Sequence, residues 1–323
     1  MIEYRCFRND DPPRLADIWR GADLGPRAVQ PMTASLLEGY VFSKPYFDRA
    51  GLIIACDDGR PVGFAHAAFG PDATRMALDT AAGTTLVVVV VPHAERAAIA
   101  AGLLARCEDY LRRRGATTIC GGGRANAAGF YLGLYGGSDV PGILDSSPAM
   151  QEAFRAAGYR QAERIVVLRR MLAGFRPPVS RVQMAIRRTT TLRVIDEPSR
   201  RDWWEAATTT GIALRRYELR TNPQGGLRGD TDGRLGTATF WDMQPLASGW
   251  GVTAAGLLHV DVEGPRRRQG LANYLVAEAL HDLAMEGVAV AETQVSEANA
   301  PALSLFAKLG FEPVDCGTVF RRP

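Results

Sequence analysis

Lysine is almost absent from this 323-residue chain: Lys44 and Lys308 are its two, and arginine supplies nearly all the positive charge. With a net charge of only +3, and the basic residues spread along both halves, no field of one sign is available to hold a nucleic acid. Histidine is scarce as well. His66, His93, His259 and His281 show no metal-ligand spacing with cysteines or carboxylates, so no metal is expected. Cys6, Cys56, Cys107, Cys120 and Cys316 are odd in number and contain no Cys-x-x-Cys pair, which argues against a disulfide framework and fits a reducing cytoplasm. Long hydrophobic runs are lacking too. The longest, residues 86–91, is far too short to cross a bilayer, and no apolar leader opens the sequence, so neither membrane insertion nor export is expected. That run reads as a strand buried on both faces. Against these absences, 46% apolar composition in a chain of this length suffices for buried cores in two ordinary domains.

Arginine gathers at one informative place. Residues 262–272, which include Arg266-Arg267-Arg268-Gln269-Gly270-Leu271-Ala272, follow an apolar, β-branched run at 255–262. After them Val276, Ala279, Leu280 and Leu283 recur at helical spacing. The order is strand, short basic turn, helix. The first N–H groups of such a helix have no intrahelical acceptor and the helix dipole adds partial positive charge, so the junction suits an anion. Gly270 permits close backbone approach, Ala272 leaves the helix start uncrowded, and the arginines can add charge-assisted hydrogen bonds. Taken alone, the stretch has one alternative reading, a solvated basic turn between two elements, which is weaker than the anion site.

Farther on, a strand-like run at 288–295 leads to Asn299, Pro301, Phe306 and Leu309-Gly310-Phe311. Asn299 reads as an N-cap, Pro301 suits a first helical turn, and Gly310 is placed to stop a short helix. The two segments in this order resemble the cofactor-binding motifs of the GCN5-related N-acetyltransferase (GNAT) superfamily. Its Arg/Gln-x-x-Gly-x-Gly/Ala pattern is met by Arg267, Gly270 and Ala272, and its following asparagine by Asn299.

The amino-terminal half contains the same order of parts. Residues 1–8 alternate like a first strand, 10–22 read as a helix, and 51–57 with 61–70 form a hairpin around Asp58-Gly59. The run at 86–91 takes the place of the strand ending at Val262, and Ile99, Leu103, Cys107 and Tyr110 mark the next helix. Phe154-Arg155-Ala156-Ala157-Gly158-Tyr159 then matches Phe306-Ala307-Lys308-Leu309-Gly310-Phe311 position for position. The expected architecture is α/β (α+β): two tandem GNAT-like domains, each a mixed twisted sheet flanked by helices. The boundaries are 1–173 for a degenerate first copy and 179–323 for the cofactor-binding second, joined through Gly174-Phe175-Arg176-Pro177-Pro178. In the first copy Glu95, Ala98 and Ala100 replace Arg267, Gly270 and Ala272, and a carboxylate there repels a diphosphate. The first copy also carries a glycine-rich, aromatic insertion over 121–144. It is either a loop packed by its own aromatics or a wall of the acceptor site.

The second copy is expected to open with a strand at 182–188, followed by a helix at 199–208, a loop at 217–233 and a strand at 234–243. Asp230 and Asp232 in that loop lack the other ligand positions of a calcium site and read as a turn.

What the resemblance implies is direct transfer of an acetyl group from acetyl-CoA to an amine acceptor, either a small molecule or a protein, chiefly by positioning. Backbone at Val260 and Val262 pairs with the pantetheine arm. Arg267, Arg268, Gln269, Gly270, Leu271 and Ala272 hold the diphosphate, and Asn299 and Phe306 lie toward the thiol. Three departures matter. The family's usual base positions correspond to Gly256 and Leu258, a further one to Gln294, and the usual tyrosine acid to Phe306; none of these handles a proton. His259 and Asp261, with Glu292 nearby, are the candidate replacements, although alternation puts them on the opposite strand face unless a bulge intervenes. Two other readings remain: a CoA-binding regulator that no longer transfers, and an interaction protein that keeps only the fold. Acceptor identity and oligomeric state are left open.

Overall fold

The computed structural model describes residues 1–123, 129–222 and 233–323. Arg124, Ala125 and Asn126 of the insertion, and Asp230 and Asp232 of the rejected calcium turn, lie outside the described residues. By its contacts the chain forms two compact units. Unit 1 comprises Met1–Val166, Arg200–Gly211 and Asp315–Pro323; unit 2 comprises Val167–Ser199 and Ile212–Val314.

In unit 1, β1 (Ile2–Cys6) precedes α1 (Pro12–Gly21) and α2 (Ala34–Leu37). Strands β2 (Leu52–Asp57), β3 (Arg60–Pro71) and β4 (Leu78–Val90) continue an antiparallel sheet from β1. The expected Asp58-Gly59 hairpin joins β2 to β3, both turn residues having positive φ (45° and 79°), as a two-residue hairpin of matching twist needs. After α3 (Arg96–Arg113), β5 (Thr118–Gly121) pairs with β4 in parallel. Then come β6 (Ile143–Leu144), α4 (Pro148–Ala156) and β7 (Arg160–Met171), whose residues from Val167 onward belong to unit 2.

Beyond β7 the elements are α5 (Arg181–Thr189), β8 (Thr190–Asp196), α6 (Trp203–Thr208), β9 (Leu214–Thr221), β10 (Arg234–Asp242), α7 (Gln244–Trp250) and β11 (Ala254–Val262). They are followed by α8 (Leu271–Met285), β12 (Val290–Ser296), α9 (Ala300–Lys308) and β13 (Glu312–Arg321). In unit 2, β8 to β11 are antiparallel neighbours in order, and β11 pairs with β12 in parallel.

Three sequence expectations are corrected. Residues 182–188 are not a strand but the body of α5: the Ser180 hydroxyl accepts from the Gln183 N–H at 3.2 Å, and Val182 and Ile186, four apart, share one helix face. The helix expected from 199 starts only at Trp203, because Asp202 caps it by accepting from Glu205 N at 2.8 Å. Tyr217, expected in a loop, lies inside β9, its ring buried and its hydroxyl donating to Asp282 at 2.9 Å.

The repeat extends to side-chain geometry. Phe154 and Tyr159 meet edge-on with ring centroids 5.2 Å apart, as do Phe306 and Phe311 at the same separation. Gly158 and Gly310 end the two helices with φ of 83° and 73°, a left-handed stop that glycine adopts at little cost. Each stop is covered by an arginine from the last strand segment of the other copy. Arg322 donates to Ala157 O within unit 1, and Arg170 donates to Gly310 O at 3.0 Å within unit 2.

The described part of the insertion packs inside unit 1. Phe130, Tyr131, Leu134 and Tyr135 are buried. The Tyr131 hydroxyl meets His66 Nδ1 at 3.1 Å, and Tyr135 accepts from Leu144 N at 2.9 Å. Burial holds the His66 imidazole neutral, its pKa pulled down to about 3.

Segment 200–211 is tied into unit 1 by Arg75, which donates to Asp202 at 2.6 Å, by the Tyr46 ring 4.6 Å from Trp204, and by Lys44. Lys44 Nζ is buried and donates to Thr208 O at 2.8 Å. Burial lowers its pKa from 10.5 to about 8. Because the folded value lies below the unfolded one, the native state gains stability as pH rises from about 8 toward 10.5. Urea titrations at pH 8 and 9.5 should show the wild-type chain gaining about 1.5 kcal/mol relative to Lys44→Met. Parallel pH profiles for the two proteins would disprove that charge balance.

Among the described residues, no helix is long and apolar enough to cross a membrane, and no three His, Cys, Asp or Glu side chains gather as a metal site.

Candidate functional site

The carboxyl end of β11 carries a bulge. Leu257 stands opposite Phe240 and His259 opposite Thr239 on β10, so Leu258 is an extra residue without a partner position. The insertion reverses the alternation beyond it. His259 and Asp261 therefore share the sheet face of Gly256. Val260 and Val262 share the other face with Ala238, whose neighbour Tyr217 reaches α8 through Asp282. The bulge that strand alternation requires for His259 and Asp261 to be relevant is present.

The parallel ladder between β11 and β12 runs only from Ala254 opposite Val290 to Leu257 opposite Thr293. Both strands continue, to Val262 and Ser296, but without that ladder. Backbone at Val260 and Val262 thus faces an opening between strands, the geometry in which an extended ligand can add as another strand.

At the mouth of this opening α8 begins. Gly270 is its N-cap with φ 85°, so no side chain caps the first turn at Leu271 and Ala272. Arg268 is also left-handed, with φ 63°. Two left-handed residues around Gln269 turn the loop back sharply ahead of the helix, a backbone shape associated with anion nests. The side chains of this loop brace it. Arg267 Nε donates to Val262 O at 3.0 Å, and Gln269 Nε2 donates to Pro265 O at 3.2 Å. Arg267 also lies 3.5 Å from Asp261, both side chains well exposed, so this pair adds little stability.

Asn299 and Phe306 hold α9. Asn299 Oδ1 accepts from Ala302 N at 3.2 Å as an N-cap, and the Phe306 ring is buried against Phe311. Gln294 is half-buried on β12.

Sequence reasoning missed Arg169. Its Nε donates to the fully buried Glu292 carboxylate at 2.7 Å, and its guanidinium lies 4.3 Å above the Trp250 ring. Glu292 pairs with Gly256, so this ion pair sits on the same face as His259. A charged residue in the strand at 165–169 was its only trace in the sequence, and that does not reveal a partner 123 positions away.

The first copy repeats the strand geometry without the cradle. Its β3–β4 register places Leu86 as the extra residue, and its parallel ladder stops at Thr85 opposite Gly121. Counting on from each bulge sets Ile99 against Leu271, yet α3 begins already at Arg96, with Ile99 N bonded to Glu95 O at 2.9 Å. Residues 96–98 are thus helical where the second copy keeps its open loop, and Ala98 replaces the left-handed Gly270. A cleft of about 300 Å³ persists there, lined by Val88, Val90, Ala97, Ala100 and Met150.

Comparison with known proteins agrees with this duplicated plan. The sequence profile described as the acetyltransferase (GNAT) family matches residues 14–134 and again 192–311. No curated protein matches the sequence. Among solved structures, a tandem GNAT protein from the clavulanic acid biosynthesis pathway superposes with a TM-score of 0.66 at 18% identity, covering 100% of this chain and 98% of that one. The glucosamine N-acetyltransferase region of a fungal multi-domain β-N-acetylglucosaminidase gives 0.71 at 16% identity, over 100% of this chain and 38% of that one. A GCN5-related N-acetyltransferase from Sphaerobacter thermophilus gives 0.63 at 15% identity, over 99% and 95%. At such identities the likeness is one of fold.

Proposed function

The chain belongs to the acetyltransferase (GNAT) family, and from that premise we propose that its second copy, within 179–323, binds acetyl-CoA and transfers the acetyl group directly to an amine. The single observation that carries this reading is the parting of β11 and β12 after Leu257, directly ahead of the uncapped start of α8. One opening thus offers strand-edge backbone for a pantetheine arm and first-turn N–H groups for a diphosphate. The donor set suits that group: Arg268, Gly270, Leu271 and Ala272 supply backbone N–H groups, and the exposed arginines supply charge.

The amine nitrogen attacks the thioester carbonyl, the C–S bond breaks, and CoA leaves as thiolate. Backbone N–H groups at the bulge polarise the carbonyl, and most of the acceleration comes from holding the two substrates together. The attacking amine must be unprotonated, and the nitrogen sheds a further proton as the amide forms. His259, half-buried on the Gly256 face, is the group placed to receive it. Asp261, more exposed and near Arg267, tunes the local charge. Phe306 and Gln294 take no proton, so the thiolate departs without a tyrosine acid, which its moderate basicity tolerates.

The acceptor is a small-molecule or protein amine, and the first copy acts as scaffold, its cradle closed into α3. A second reading, a CoA-binding regulator without turnover, draws on Gln294 and on the burial of Phe306 against Phe311. Calorimetric titration of CoA-free protein with acetyl-CoA should give one site per chain. No binding would overturn the cofactor reading, and two sites would overturn the assignment of a single active copy. His259→Ala should slow transfer about a hundredfold at unchanged cofactor affinity, in keeping with the loss of a general base. Unaltered turnover would remove it from the mechanism.

A further inference from the structure

Helix α5 lies between the two regions that match the family profile. Ile186 is its one buried residue. Val182 and Met184 are 54% and 46% exposed, and Val179 just before the helix is 84% exposed. The helix carries Arg181, Arg187 and Arg188 and no acid.

Its docking is specific. A Cβ at Gly270 would lie 3.0 Å from Val182 Cγ1 and 3.7 Å from Ile186 Cδ1. Gln183 Nε2 donates to Asn273 Oδ1 at 2.5 Å. Burial raises the Tyr274 pKa, and nearby Arg187 opposes that rise. These contacts place α5 across the first two turns of α8, beside the loop that bears the anion site. The exposed apolar Val182 and the Arg187 cation therefore border the same cradle, and Arg181 adjoins Val182 in the first turn of the helix.

We propose that α5 forms the adenosine end of the cofactor site, with Val182 covering one face of the adenine and Arg181 and Arg187 recognising the 3′-phosphate of CoA. The inference rests on the cofactor reading above and deepens it. Charge complementarity selects this occupant over a second protein: the basic helix adjoins a site already suited to a diphosphate, and CoA alone presents a planar apolar ring and a further phosphate at that end. Val182 reaches the Gly270 position, so the apolar contact and the cradle are continuous.

The test is calorimetric, with CoA and 3′-dephospho-CoA as probes. The wild-type chain should bind CoA about tenfold more tightly than 3′-dephospho-CoA. The double variant Arg181→Ala/Arg187→Ala should lose that preference while keeping the wild-type affinity for 3′-dephospho-CoA. Val182→Ser should weaken both probes severalfold and leave 4′-phosphopantetheine, which lacks the adenosine, unaffected. Equal wild-type affinity for the two CoA forms would overturn the proposal. So would a double variant that weakens both equally, because α5 would then act only by bracing α8. Absence of any CoA binding by the wild-type chain would overturn the proposed function together with this inference, whereas intact binding with no 3′-phosphate preference overturns this inference alone.

Discussion

Gly270→Glu should reduce acetyl-CoA affinity by at least a hundredfold, equivalent to about 3 kcal/mol. Three effects act together. Gly270 has φ 85°, where a side chain costs about 1 to 2 kcal/mol. Its Cβ would stand 3.0 Å from Val182 and push on α5. The added carboxylate would also occupy the positive end of α8 and repel a diphosphate. Gly270→Ala separates these effects, because it keeps the strain and the contact but adds no charge; a loss of about tenfold is expected. Glu95→Ala should leave affinity unchanged, since α3 already winds through residues 96–98 in place of the open loop. If Glu95→Ala weakened binding as strongly as Gly270→Glu, the assignment of the active copy would be wrong.

The other large effect is expected at Arg169. Arg169→Met removes the guanidinium bonded at 2.7 Å to the fully buried Glu292 carboxylate. Breaking a buried ion pair on one side costs several kcal/mol, and the partial exposure of Arg169 reduces this to about 2 kcal/mol. Urea unfolding should show that loss, and Arg169→Met/Glu292→Gln should recover most of it, because the carboxylate that needed the arginine is gone. A double variant as unstable as the single one would show that Arg169 acts through Trp250 rather than through Glu292. Amine turnover should fall in the single variant, since the pair lies on the His259 face of the sheet.

The strand–turn–helix cradle was legible because each part has a local signature. The apolar run expected at 255–262 is β11 at Ala254–Val262, and the Asn299 cap and Gly310 stop stand where their side-chain and backbone chemistry places them. The role of Gly270 was legible only in part. Its need for positive φ is met, but its missing Cβ also makes room for α5. α5 itself was misread because residues 182–188 are mostly exposed, and a pattern with one buried position carries little periodic signal. The bulge was not legible at all: Leu258 is a residue of no special conformational type, and it becomes an extra residue only through its pairing with β10.

The sequence by itself determined the duplication, the class of fold and the place of the strand–turn–helix junction at 262–272, because those depend on neighbours along the chain: alternation, capping and glycine. Only the tertiary structure decided which strand face His259 and Asp261 share, which arginine neutralises Glu292, and that each copy's helix stop is covered by an arginine of the other's last strand segment. Those features depend on register and on partners far apart in sequence. A shift of one residue in strand pairing reverses the face of every side chain beyond it, without changing a single residue type.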